Sequence, residues 1–177
     1  MKKEETTSHV WRELSDWLKI IIVAAAVGIF ISKTLVVNAQ VTSGSMEDTV
    51  MTGSRVLVSR QAYLFHEPER GDIVTFYCPD EPKTEYMKRI LALPGETIEG
   101  EDGVIYIDGK PLEEPYIKIK FKQDFGPYKV PRNSYFMMGD NRNNSWDSRF
   151  WVNKYVEKDE IIGKAEFEYF PEIKGFF

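Results

Sequence analysis

The sequence predicts an all-β, mainly antiparallel domain behind a single N-terminal transmembrane helix. Three observations carry that prediction. Beyond Gly53 the chain breaks into short β-branched or aromatic runs divided by Pro, Gly and Asp-Gly turn signals, the pattern of hairpin-linked strands. No long amphipathic helical period is visible there. Before it stands one apolar run, Ile20 to Ile31, prolonged by Leu35 to Val37 past Ser32, Lys33 and Thr34. With 177 residues, 42% hydrophobic and 14% aromatic, the chain has apolar mass for one domain plus an anchor and is not a disordered protein. A formal charge of −5 without a basic stripe excludes the nucleic-acid footprint. Cys78, the lone cysteine, excludes an intrachain disulfide and fits a small buried hydrophobe on a strand.

Taken in order, residues 1–17 are polar, mixed in charge and expected as a cytoplasmic segment. Leu18 to Val37 is expected as the transmembrane helix, although the uninterrupted apolar run is short of the roughly 20 residues a span wants. Lys19 and Lys33 snorkel toward opposite interfaces, and Trp17 suits the aromatic belt. Lys2, Lys3, Arg12 and Lys19 precede the run, whereas only Lys33 lies close to its far end. The positive-inside rule therefore places the N-terminus in the cytoplasm and residues 38–177 outside. A cleavable signal peptide is the competing reading, on the small residues of Val37-Asn38-Ala39. Cleavage there would free the domain almost at the Ser43-Gly44-Ser45 turn. From Val37 to Ser45 an extended chain reaches roughly 25 Å at about 3.3 Å per residue, which holds Ser45 near the outer membrane surface.

Strands are expected over Arg55 to Ser59, Asp72 to Tyr77, Glu85 to Leu93, Gly103 to Asp108, Ser134 to Met138 and Glu160 to Phe170. Pro94-Gly95 ends the third of these, and Asp108-Gly109 is a hairpin signal. Pro111 to Arg132, rich in Pro, Lys and aromatics, is expected as an irregular insertion or small subdomain.

Three stretches carry candidate chemistry. In Ser43-Gly44-Ser45 the missing Cβ of Gly44 permits a sharp turn or a close approach, and Ser45 presents a hydroxyl on that turn with Ser43 aimed at the same point. An ordinary polar turn is the plain alternative. A serine nucleophile needs a base. His9 precedes the anchor and His66 lies in an exposed loop, which argues against a Ser-His-Asp triad. Lys88 sits inside an apolar run, where burial would lower its pKa and free the amine as a base. An edge-strand lysine that faces water is the equal alternative. The third stretch, Gly139 to Trp151, is dense in Asn, Asp, Ser and Arg, and Asp147 and Arg149 are spaced to pair. A calcium loop is opposed by Arg142 at a ligand position and by the missing loop glycine. No His or Cys cluster offers a transition-metal site, and no cofactor is implied.

Together these stretches resemble a type I signal peptidase, of the bacterial leader peptidase family: membrane-anchored Ser/Lys endopeptidases that remove signal peptides from exported proteins. The resemblance rests on Ser43-Gly-Ser-Met46, Gly71-Asp-Ile-Val-Thr-Phe76, Tyr86-Met-Lys-Arg-Ile90 with Leu93-Pro-Gly95, Gly139-Asp-Asn-Arg142 with Asn144-Ser145 and Asp147-Ser-Arg149, and Ile162-Gly-Lys-Ala165, in order along the chain. It implies Ser45 as nucleophile, Lys88 as general base, and Ser43 with the Ser45 amide as oxyanion donors. It further implies that Ser145 orients the Lys88 amine, and that Asp147 and Arg149 hold the loop. The implied partners are the lipid bilayer and signal peptides of preproteins, with small residues at the first and third positions before the cut. The chain departs from the family pattern at Asp48, where proline is expected, at Ala92 in place of glycine, and at Trp151 to Tyr155. A carboxylate at Asp48 is expected to raise the Lys88 pKa. The non-enzymatic alternative is a membrane-tethered β-domain that binds or scaffolds partners, against which Ser45 and Lys88 both stand intact. A self-cleaving repressor would need a DNA-binding module in place of the anchor.

Overall fold

The computed structural model describes residues 2–176, the side chains of 2–10 and 31–33 excepted. The chain divides after residue 36 into two units. The first is one helix, α1, Lys2–Thr34. It contains no proline, and its apolar part is built largely of Ile, Val and Ala between Lys19 and Lys33. The expected transmembrane helix over Leu18 to Val37 differs from the observed helix at its C-terminal end. Helical backbone runs back through the polar N-terminal segment, and it stops at Thr34 because the β-branched pair Val36-Val37 opens an extended strand. Side chains from Ile20 to Phe30 are exposed. Among the described residues no helix is long and apolar enough to cross a membrane. The side chain of His9 lies outside the described residues.

The second unit is built of strands: β1 Val36–Gln40, β2 Arg55–Ser59, β3 Ile73–Cys78, β4 Glu81–Ala92, β5 Thr97–Glu101, β6 Val104–Ile107, β7 Lys110–Pro111, β8 Phe125–Lys129, β9 Ser134–Met138, β10 Val156–Glu157, β11 Ile161–Phe170 and β12 Lys174–Gly175. Every strand run expected from sequence is present within a few residues. The larger sheet runs β1-β2-β11-β3-β4-β9-β10, with β12 paired to β11, and the smaller runs β7-β6-β5-β8. The mapped pairings in both are antiparallel. Pro111 to Arg132 is only partly irregular, since Phe125–Lys129 joins the smaller sheet beside β5.

The alternation of β3 explains how one sheet serves two cores. Val74, Phe76 and Cys78 face a cluster with Ile90, Tyr135, Met137 and Trp151. Ile73 faces the other way, into a cluster with Val41, Met46, Val50, Val56, Val58 and Ala165. A third cluster joins the small sheet to β4 and β9 through Leu91, Ala92, Phe136 and Met138. Met46 and Val50 thus root the turn after β1 in a core, and β4 ends between two cores.

Candidate active site

Gly44–Met46 forms a short 3-10 turn just after β1. Val41 N–H donates to the Ser54 carbonyl and Gly53 N–H to the Val41 carbonyl, which ties the start of the turn to the base of β2. The buried Met46 side chain pins its end. Ser45 stands on this turn as expected, but it is buried, 7% exposed, and faces a cavity rather than open solvent. The Ser43 and Ser45 hydroxyls are 3.3 Å apart. Gly44 is not the residue that needs to be glycine for close approach. The nearest atoms to a Cβ there are the flexible carboxylate end of Glu47. At Gly139, by contrast, an added Cβ would overlap both Ser145 Oγ and the Ser45 carbonyl oxygen.

Lys88 pairs across the ladder with Val74 in the middle of β4, which lies between β3 and β9, so the edge-strand alternative fails. The residue is 3% exposed. Its Nζ has no hydrogen-bond or ion-pair partner among the described residues, and lies 5.6 Å from the centre of the Tyr86 ring. Burial pushes the amine down from 10.5 to about 8; Asp147 opposes that fall and Arg149 adds to it. Asp48 is not among the charges that govern it. The Asp48 carboxylate instead pairs with Lys118 at 2.9 Å on the surface, so the expected upward pull is not found.

The loop 139–149 supplies the third wall. Asp147 is fully buried and accepts from Ser145 Oγ at 2.6 Å, Gly139 N–H at 3.1 Å, Arg149 Nε at 2.8 Å and Arg149 Nη2 at 2.9 Å. A buried carboxylate held this way is satisfied and rigid. The Ser145 hydroxyl therefore donates to Asp147, not to Lys88. Asn141 stitches the loop to the Ser45 turn: its N–H donates to the Ser45 carbonyl at 3.0 Å and its side chain to the Gly44 carbonyl at 2.9 Å.

Ser43, Ser45, Lys88 and Ser145 line one cavity of about 680 Å³, while Asp147 and Arg149 stand behind its wall. Sequence reasoning missed several participants. Arg89 grips Asp140 with two hydrogen bonds, 2.9 and 2.6 Å, and Asp140 accepts from Thr49 at 2.6 Å. Thr75 lines the cavity with a buried hydroxyl that has no partner among the described residues. The only signal for Thr75 is one small polar side chain between Val74 and Phe76 in β3. His66 is exposed, as expected, and outside this cavity. Of the departures, Ala92 is fully buried in the core beside the small sheet, and Trp151 packs on Phe76 and Tyr86 at 5.9 and 6.0 Å between ring centres.

Comparison with known proteins agrees with this arrangement. The family model described as signal peptidase, peptidase S26, matches residues 14–170. A signal peptidase I of Bacillus licheniformis is 36% identical over 178 residues, covering 95% of each chain. A probable signal peptidase I-2 of Synechocystis is 36% identical over 176 residues, 96% of this chain and 78% of that one. Among solved structures, a signal peptidase I from Enterococcus faecalis aligns with a TM-score of 0.50 and 32% identity, covering 56% of this chain and 97% of that one. With the Ser45 turn, a buried lysine and a polar loop gathered on one cavity, and with matches of this extent, the chain belongs to the signal peptidase family, peptidase S26, whose serine peptidases cleave signal peptides.

Proposed function

We propose that the chain is a membrane-anchored signal peptidase in which Ser45 is the nucleophile and Lys88 the general base. The observation that carries this reading is the state of Lys88, buried without a partner among the described residues on the wall of the cavity that also holds Ser45. An amine near 8 is partly neutral at the working pH and able to take a proton. Lys88 Nζ removes the proton from Ser45 Oγ as that oxygen bonds to the scissile carbonyl carbon. The carbonyl oxygen becomes an oxyanion, which the Ser45 N–H and the Ser43 hydroxyl stabilise. Collapse breaks the C–N bond, and the Lys88 ammonium protonates the leaving amine. Water, deprotonated by Lys88, then attacks the acyl ester, and collapse breaks the ester C–O bond as the Lys88 ammonium returns its proton to Ser45 Oγ.

Ser145, Asp147 and Arg149 shape the wall beside the amine. The substrate is the extended end of a signal peptide with small residues at the first and third positions before the cut, laid beside a strand edge. The apolar part of α1, exposed on all sides, is the anchor, with the N-terminus cytoplasmic and the domain on the outer membrane surface.

Cleavage of a synthetic preprotein tests the nucleophile. Ser45→Ala abolishes cleavage and keeps the fold, since the hydroxyl's one mapped bond is the long contact to Ser43. Ser43→Ala retains measurable activity, lower by about 10²–10³ for one oxyanion donor. Equal inactivity of the two variants would exchange their roles.

A further inference from the structure

The irregular stretch 112–121 crosses the polar loop and the nucleophile turn. Glu114 accepts from Arg142 Nη1 at 2.8 Å and Nη2 at 2.5 Å. The Tyr116 hydroxyl donates to Glu114 at 2.9 Å, and its ring lies 3.9 Å from Arg89 Cζ. Lys118 reaches Asp48, and the Lys120 carbonyl accepts from Asn143 at 2.9 Å. The Lys118 pair is exposed and contributes little. The Glu114 pair is different, because the Arg142 side chain is 1% exposed and that of Glu114 10%.

Buried arginines and carboxylates around the site are matched in pairs: Arg89 with Asp140, Arg149 with Asp147, and Arg142 with Glu114. Both Asp140 oxygens are engaged by Arg89, and both Asp147 oxygens by Arg149. Of the two arginines in the loop 139–149, only Arg142 takes its carboxylate from outside the loop. Arg142 in turn donates Nε to the Gly139 carbonyl at 3.1 Å and accepts Arg149 Nη2 on its own carbonyl at 2.8 Å. Gly139 and Arg149 both hydrogen-bond Asp147, the acceptor of the Ser145 hydroxyl.

We propose that Glu114 is a positioning residue for peptide cleavage: through the Arg142 fork it fixes Gly139 and Arg149, and so holds Ser145 at the wall beside Ser45 and Lys88, with 112–121 as a strap over the loop. This rests on the assignment of Ser45, Lys88 and Ser145 made above. The strap touches neither the substrate-facing hydroxyls nor the amine. Its effect is therefore on turnover rather than on binding.

A variant cycle on the full chain tests it, with kcat and KM for preprotein cleavage and Tm read for each protein. Glu114→Gln keeps shape and removes the charge. It is expected to lower kcat by about 10²-fold, the scale of a small misplacement in a catalytic constellation, with KM within about twofold. Arg142→Gln is expected to do the same. Because the two act as one unit, the double variant is expected to be no slower than Arg142→Gln alone, while its Tm recovers toward wild type as no buried charge is left unpaired. An unchanged kcat in Glu114→Gln would overturn the proposal. So would multiplicative losses in the double variant, or kcat recovered together with Tm, which would make Glu114 a folding residue only. Lys88→Met run in parallel separates the two readings: cleavage that survives it overturns the base assignment, and the Glu114 cycle is still read on that activity.

Discussion

At the scale of single residues, Lys88 is governed by desolvation. Lowering its pKa from 10.5 to about 8 costs the folded state about 3 kcal/mol at neutral pH, at about 1.4 kcal/mol per pKa unit. Between about 8 and 10.5 the unfolded chain still holds a proton that the folded chain has released, so stability rises with pH across that window. Below about 8 both states hold it, the slope vanishes and the full penalty stays. Lys88→Met keeps length and apolar packing, so it abolishes cleavage yet leaves Tm at neutral pH unchanged or higher. In the wild type, activity rises with pH along a limb centred near 8. A pH–rate profile and a melting curve check both; a Lys88→Met protein that melts well below wild type would make the lysine structural. Asp48 carries a second residue-scale consequence. Its φ is 79°, in the left-handed region that proline cannot enter. Asp48→Pro would restore the family pattern, yet it lowers Tm, because the ring locks φ near −65°. A thermal melt of that single variant measures it.

At the scale of elements, the junction of β9 with the polar loop decides whether the site assembles. Gly139 leaves room for the Ser45 carbonyl and the Ser145 hydroxyl to approach one backbone position. Gly139→Ala is expected to drive the Ser45 turn and the loop apart. Activity falls at least about 10²-fold, and stability by about 1–3 kcal/mol, the usual cost of overpacking. Kinetics with a denaturant titration on the same protein test both. Gly44→Ala is the informative control, since its nearest neighbour is the movable Glu47 side chain. A larger loss there than at Gly139 would show that the sharp turn matters more than the close approach. Segment 139–149 also shows how densely polar sequence becomes rigid structure: Asp147 alone gathers Ser145, Gly139 and Arg149, so no buried charge in that group is left unanswered.

At the scale of the whole molecule, the boundary after residue 36 divides the proposed anchor from the unit that holds the cavity. Most of β1 lies on the chemical side: Val37 to Gln40 line the same cavity as Ser45, and Asn38 accepts from Tyr169 at 2.7 Å. A chain without residues 1–35 is expected to fold and to cleave short soluble peptides, losing rate mainly on membrane-embedded preproteins, because a tether supplies effective concentration rather than reactivity. Removal of 1–40 takes β1 as well and is expected to impair both substrate types. Comparing the two truncations on both substrates checks the boundary. Equal behaviour of the two would mean that β1 plays no part in the site.

Much of this is legible locally. Hairpin signals such as Asp108-Gly109 and the β-branched or aromatic runs Arg55 to Ser59 and Ser134 to Met138 mark strands, because turn chemistry and a two-residue period act over neighbouring residues. The short motifs around Ser45, Lys88 and Asp147 carry the family resemblance because each is contiguous in sequence, and Asp147 and Arg149 pair within one loop. What pattern alone leaves balanced is whether Lys88 is buried. That depends on the β4 neighbours β3 and β9, and β9 arrives from more than forty residues away along the chain. Asn141 reaching Gly44, Thr49 reaching Asp140, and Glu114 matching Arg142 are likewise invisible, because contacts between distant segments leave no period in either of them. Val36 and Val37 read as the end of an apolar helix, yet they open an edge strand of the larger sheet. Only pairing with β2 decides between those two states for a short apolar run.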